Sequence, residues 1–154
     1  MELLAKDFDP RVLLRSVGLR VTEPRVAVLT ALRTHPHSTV DTIAVSARGM
    51  LGSVSTQAVY DVLRACTDAG LVRRIEPAGS AALFETRTAD NHHHLVCRGC
   101  GTVTDTDCAV AEAPCLTPTD PRGFVVDEAE VVFWGYCPTC QSIREASPTQ
   151  ESSP

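Results

Sequence analysis

The sequence predicts an α+β chain in two parts: an N-terminal winged helix-turn-helix, then a small C-terminal α/β domain organised by four cysteines. Three observations carry that expectation. Helical periodicity runs through roughly the first 70 residues and then gives way to a strand–turn–strand pattern. Two Cys-x-x-Cys pairs, Cys97/Cys100 and Cys137/Cys140, are separated by 36 residues. Charge and cysteine are unevenly divided along the chain.

The 154 residues carry 14 Lys+Arg against 19 Asp+Glu, a formal net charge of −5. Taken whole, that balance speaks against nucleic acid as a partner. Residues 1–90, however, hold 11 Lys+Arg and 10 Asp+Glu, a net of +1, whereas residues 91–154 hold 3 and 9, a net of −6. Cys66 alone lies in the first part; Cys97, Cys100, Cys108, Cys115, Cys137 and Cys140 lie in the second. We therefore expect a domain over 1–88, a second over 92–144 and a disordered tail over 145–154. An apolar content of 44% supports a packed core and excludes disorder throughout. No apolar run reaches the roughly 18 residues of a membrane helix, and the N-terminus lacks a signal-peptide core. The expected location is cytoplasmic, with no membrane partner.

In order, Asp9 to Val17 is a short helix stopped by Gly18. Thr22 can cap the next, with Pro24 in its first turn; Val26, Leu29 and Leu32 make its apolar face, and His35-Pro36 ends it. Ser38 with Asp41 is a capping box for a third helix, with Val40, Ile43, Ala44 and Ala47 inward and Gly49 as its stop. Ser55 caps a fourth, running to about Ala69 before Gly70. Val59, Val62, Leu63 and Cys66 share its apolar face. Leu71 to Ile75, the Pro77–Ser80 turn and Ala82 to Glu85 form a hairpin.

Helices followed by a hairpin describe a winged helix-turn-helix, and the outward residues suit DNA. The fourth helix begins with small or polar residues, Ser55, Thr56 and Gln57, that can enter a major groove. Gln57 can pair with an adenine edge, and Tyr60 can reach a phosphate or a thymine methyl. Arg20, Arg64, Arg73 and Arg74 complete the DNA-binding set, the last two as wing contacts to the backbone. An ordinary helical subdomain with solvated polar faces is the alternative.

The second part is a metal domain. Each Cys-x-x-Cys places two thiolates on one tight turn, and two such turns make the closed tetrahedral site of structural Zn2+. A thioredoxin-like motif accounts for one pair but not two, and disulfides do not suit a reducing cytosol. Thr102–Thr104, Gly123–Val126 and Val131–Trp134 read as strands and Val110–Leu116 as a short helix. The apolar strand at 131–134 can serve a dimer interface. In a strand, His92 and His94 share a face and His93 points away. With the near carboxylates Glu85 and Asp105, they make a mixed N/O set that suits Fe2+, Mn2+ or Zn2+. A surface histidine cluster is the alternative.

These residues together resemble the ferric uptake regulator family of bacterial metal-responsive repressors. The matching stretches, in the family's order over about residues 10–142, are Gly18–Arg25, His37–Asp41, Ser55–Leu63 with Ala69–Val72, Asn91–Gly101 and Tyr136–Cys140. Gln57–Leu63, Asp107–Leu116 and Asp127–Glu130 look more narrowly like an actinobacterial branch associated with catalase-peroxidase control and the peroxide response. The resemblance implies a homodimer on a palindromic operator and a structural zinc at Cys97, Cys100, Cys137 and Cys140. It implies a regulatory site at His37, Glu85, His92, His94 and Asp105, holding Fe2+ or another divalent ion such as Mn2+ or Zn2+. No small-molecule substrate is implied. Zinc-, nickel- or manganese-responsive regulators are the alternatives within the family.

The chain departs from the family in places. His93 stands where relatives often have an acidic residue, and Ala129 near a further histidine of theirs, so their additional site around His93 and Glu112 is altered. Asp61 replaces an arginine common after the helix tyrosine. Asp105 resembles the peroxide sensors, whereas Glu85 resembles the iron sensors. Peroxide could act by oxidising His37 or His92 beside ferrous iron, or by joining the possible redox pair Cys108 and Cys115 in a disulfide; Cys66 reads as core. A metal-dependent hydrolase is the remaining class, and no H-E-x-x-H or nucleophile motif supports it.

Overall fold

A computed structural model of the chain describes residues 8–88, 90–110 and 112–146. It divides into two compact units, Met1–Ala89 and Asp90–Pro154. The first holds four helices, α1 (Pro10–Ser16), α2 (Glu23–Thr34), α3 (Val40–Leu51) and α4 (Thr56–Asp68), then the strands β1 (Arg73–Ile75) and β2 (Leu83–Glu85). The second holds β3 (His92–Cys97), β4 (Val103–Asp107), β5 (Val132–Gly135) and α5 (Pro138–Ala146).

The first unit is a winged helix. Each helix starts where a short polar side chain can satisfy its open N–H groups. Asp9 accepts from the Arg11 N–H, Thr39 from Thr42 and Ser55 from Ala58. Thr22 occupies the N-cap of α2 without a side-chain bond. The predicted Ser38 cap is displaced by one residue: Ser38 Oγ donates to the His35 carbonyl instead. Helix α4 closes in a Schellman motif. Gly70, at φ 74°, lets its N–H reach the Thr67 carbonyl and lets the Leu71 N–H reach Cys66. Leu14, Val28, Leu29, Leu32, Ile43, Val59, Leu63 and Cys66 form a core under the three longer helices, and Phe84 of the wing joins it. Strands β1 and β2 pair antiparallel, with Arg74 opposite Phe84.

The second unit is a three-stranded sheet in the order β4–β3–β5, with β4 antiparallel and β5 parallel to β3. Two expected elements do not form. Residues 110 and 112–116 are not helical, and residues 123–126 pair with no strand among the described residues. Pro114 removes a donor within that stretch, and Val110 and Leu116 are exposed, so no apolar face rewards a helix there. Phe124 and Val125 are likewise exposed. Conversely, α5 was not anticipated. Pro138 occupies its first position, where the missing N–H costs nothing. It carries Glu145 and Ala146, which the sequence assigned to the tail; the rest of that tail lies outside the described residues. No helix among the described residues is long and apolar enough to cross a membrane.

Candidate metal centres and nucleic-acid interface

The four knuckle cysteines meet because β5 lies parallel to β3. Cys97 ends β3 opposite Gly135, and the Arg98 N–H donates to the Gly135 carbonyl at 2.7 Å, so the turn after β3 faces the turn after β5. The Sγ atoms of Cys97, Cys100, Cys137 and Cys140 all lie within 4.8 Å of one another, with Cys100 and Cys137 at 3.7 Å. A tetrahedron of Zn–S bonds of about 2.3 Å has S–S edges near 3.8 Å, so the group matches a Zn2+ tetrad. The surrounding backbone is built for thiolates. The N–H groups of Cys137 and Gly99 point at Cys97 Sγ, at 3.2 and 3.4 Å. Donation from the Cys137 and Cys100 backbone lowers the Cys97 thiol to about 6. The Thr102 hydroxyl lowers Cys100, and Cys140, sharing its proton with Cys137, is pushed up to about 12. Thiolates this close repel, so the last resists ionisation until a cation is present. Gly99 is required by space: a Cβ there would stand 2.8 Å from Cys140 Sγ.

The N/O ligand candidates fall into two groups, one in each unit. In the first, Ser38 and Phe84 exchange backbone hydrogen bonds at 3.3 and 3.0 Å, which ties the loop before α3 to β2. That tie sets His37 beside Glu85, Nε2 to Oε2 at 3.0 Å, with Glu85 only 1% exposed. His37 has φ 55°, a left-handed conformation that a non-glycine residue adopts at a cost, as residues at functional sites often do. In the second unit, β3–β4 pairing puts His94 opposite Asp105. The His92 and His94 rings sit edge to face at 5.0 Å. Asp105 Oδ1 lies 3.7 Å from His92 Nε2 and 3.8 Å from His94 Nε2. Those spacings leave room for an ion between nitrogen and oxygen. Asp90, outside the ligand set that the sequence suggests, holds His92 Nδ1 at 3.0 Å. That contact directs Nε2 toward Asp105, the role carboxylates play behind metal-binding imidazoles. Its only signal in the sequence was a carboxylate two residues before the cluster.

His93 points to the other face and meets Cys115, Nε2 to Sγ at 3.3 Å. Cys108 joins that group. Glu112 is exposed, and its backbone carbonyl accepts from Asn91 at 3.2 Å. Cys66 is wholly buried, and burial pushes its thiol up, as for an inert core residue.

The DNA-facing candidates lie on the outer face of α4 and on the wing. Gln57, Tyr60 and Arg64 are exposed, as are Arg20 and Arg74; Arg73 is half-buried. Ser55 spends its hydroxyl on the cap, and Thr56 accepts from Arg48 at 2.9 Å, which clamps the turn into α4. Asp61 draws on its neighbours: Gln57 Nε2 donates to it at 3.1 Å, and Arg64 pairs with it at 3.8 Å. Arg74 pairs with Glu76. The candidate reading face thus presents a glutamine, a tyrosine and an arginine with one carboxylate among them.

A winged helix with polar groups on its reading helix, joined to a unit with a thiol tetrad and histidine–carboxylate ligands, defines a metal-responsive DNA-binding transcriptional regulator. The chain belongs to the ferric uptake regulator family, whose model matches residues 16–133. It is 60% identical over 134 residues to the transcriptional regulator FurA of Mycobacterium tuberculosis, covering 87% of this chain and 90% of that one. The crystal structure of the Vibrio cholerae ferric uptake regulator superposes with a TM-score of 0.62 at 28% identity, covering 84% of this chain and 100% of that one. The manganese-containing structure of the Pseudomonas aeruginosa regulator gives 0.59 at 28% identity, covering 84% and 98%. Family, fold and relatives agree on a repressor whose DNA binding responds to metal.

Proposed function

We propose that the protein is a homodimeric repressor of a palindromic operator, with structural Zn2+ at Cys97, Cys100, Cys137 and Cys140. Its regulatory ion would be held by His37, Glu85, His92, His94 and Asp105. The observation that carries this reading is that each unit holds a partial ligand set: His37 with Glu85 at 3.0 Å, and His92 and His94 around Asp105. Two or three donors make a weak site, whereas five from both units make a complete one. When bound, the ion would supply positive charge that the Glu85 and Asp105 carboxylates neutralise, while the three imidazoles coordinate it as neutral donors. The chain does the rest. Ligands drawn from both units restrict the reading helices to the geometry that fits DNA, so metal favours the bound state by differential affinity. Leu95 and Phe133, opposite each other in the β3–β5 register and about half exposed, offer a second copy an apolar patch.

The ligand chemistry accepts Fe2+, Mn2+ or Zn2+, and the resemblance of Gln57–Leu63, Asp107–Leu116 and Asp127–Glu130 to the actinobacterial branch favours iron or peroxide as the signal, with the protein's own gene and catalase-peroxidase as targets. A gel shift on the protein's own promoter region tests the reading, run metal-free, with each divalent ion, and with peroxide after iron. Metal-dependent, salt-sensitive binding that peroxide abolishes is the expected result. Failure to bind with every metal overturns it.

A further inference from the structure

The two faces of β3 differ in donor chemistry. His92 and His94 look toward Asp105, a hard oxygen donor, whereas His93 looks toward sulfur. His93 is 6% exposed, and its Nε2 lies 3.3 Å from Cys115 Sγ. Cys108 completes the group: one donor atom from each of His93, Cys108 and Cys115 lies within 4.8 Å of the other two. All three belong to the second unit. The buried imidazole is poorly satisfied. Its Nδ1 has no hydrogen-bond partner among the described residues, and its Nε2 meets only a thiol, a weak partner. A buried polar ring left in this condition calls for an explanation such as an ion.

The spacing fits one. Zn–S bonds of about 2.3 Å and Zn–N bonds of about 2.1 Å give tetrahedral edges near 3.6–3.8 Å, between the 3.3 Å contact and the 4.8 Å limit. Two thiolates would neutralise a divalent cation, and the imidazole would complete three-fold ligation. The Phe133 ring packs on His93 with centroids 6.3 Å apart, and the Ala129 carbonyl lies 4.0 Å from Cys115 Sγ. Thiolate-rich sets of this kind select Zn2+ over Fe2+ and Mn2+. Donors on opposite faces of one strand would therefore sort ions by softness.

We propose that His93, Cys108 and Cys115 form a further metal site for a thiophilic divalent ion, Zn2+ in the first instance, distinct from the cysteine tetrad and from the His92/His94 face. Such an ion would pin the irregular segment carrying Cys108 and Cys115 to the central strand. This inference does not depend on which metal regulates DNA binding.

The test uses the full chain, reduced and handled anaerobically, with one zinc already on the tetrad. Cobalt is then titrated in. Cobalt on imidazoles and carboxylates shows only d–d bands, whereas cobalt on thiolates adds sulfur-to-metal charge transfer in the near ultraviolet. The expected wild-type result is that charge-transfer band, with tetrad zinc retained. The Cys108→Ser/Cys115→Ser variant should lose it while keeping tetrad zinc, and His93→Ala should weaken cobalt binding at this site by at least about tenfold. The proposal is overturned if reduced wild type shows no thiolate band beyond the tetrad, or if the double variant keeps it. The wild-type spectrum decides even if a variant misfolds.

Discussion

The two units of the chain are stabilised by different physics. Almost every buried apolar side chain lies in the first: Leu14, Val28, Leu29, Leu32, Ile43, Val59 and Leu63 are at most 1% exposed. In the second, among the described residues, only Val96 and Cys97 are buried apolar residues; beside them are His92, His93 and His94. Its larger apolar groups, Leu95, Phe124, Val125, Phe133 and Trp134, are substantially exposed. One unit folds by removing hydrocarbon from water. The other, of about 60 residues, is too small and too polar to do the same, and the proposed metal–ligand bonds and second copy would supply the difference. On the proposed reading, sensing and folding draw on the same chemistry in the second unit.

Removing the tetrad zinc should break that contrast most sharply. Structural zinc contributes apparent binding energies of about 10–16 kcal/mol near neutral pH, more than a small domain's whole stability. A strong chelator, or Cys137→Ser, should therefore unfold the second unit and leave the first standing. Far-ultraviolet circular dichroism would keep the signal of α1–α4, while Trp134 fluorescence would shift to that of a solvated indole. A single transition in which both units melt together would mean that the first unit depends on the second for its stability.

The converse perturbation is a cavity in the first unit. Leu29 is fully buried in the helical core, and Leu29→Ala should cost about 2–5 kcal/mol. The Tm of the helical transition should fall, and the zinc content of the second unit should not change. Zinc loss in this variant would show that the units share stability.

How far the sequence foretold each unit follows the same division. In the first, local rules suffice. Apolar spacing placed the core faces of α2, α3 and α4, and Ser55 and Gly70 marked both ends of α4 because capping is decided within a few residues. The tetrad was equally legible, since Cys-x-x-Cys encodes half a site in four residues and only two halves need meet. Alternation in β3 correctly separated His93 from its neighbours. The partners of that strand were not legible. Asp90 behind His92, and Cys115 against His93 across 22 positions, depend on the path of an irregular segment. There the Val110–Leu116 pattern suggested a helix that Pro114 and exposure disfavour. Helix α5 is hidden in the sequence because Cys137–Cys140 has the pattern of a ligand turn, which masks Pro138 as a helix start.

A smaller change tests how tightly the tetrad is built. A methyl on Gly99 would meet Cys140 Sγ at 2.8 Å and its Cβ at 3.0 Å. Because Cys140 is a predicted zinc ligand on a helix start, neither atom can retreat without moving a ligand. Gly99→Ala should cost about 1–3 kcal/mol of overpacking, read as faster zinc transfer to a chromophoric chelator with the first unit's melting unchanged. Unaltered transfer would mean the knuckle is slack enough to absorb the methyl.

The smallest expected effect lies on the reading helix, where the first unit's polar face is as deliberate as its core. Asp61 holds the Gln57 amide at 3.1 Å and lies 3.8 Å from Arg64, both on the exposed face of α4 proposed to meet DNA. To read a base, Gln57 must leave Asp61, and the carboxylate must approach phosphates of like charge. Exposed pairs of this kind are worth only about 0.2–1 kcal/mol. Asp61→Asn keeps the side chain's shape, removes the charge and should tighten operator binding about two- to fivefold, most at low salt, where the lost repulsion is least screened. Stability should not move. If affinity for the operator falls while non-specific binding rises, Asp61 orients Gln57 rather than restraining it, and the carboxylate serves specificity at the expense of affinity. Measuring both affinities across a salt series separates the two roles, because a purely electrostatic restraint disappears as salt is raised and an orienting hydrogen bond does not.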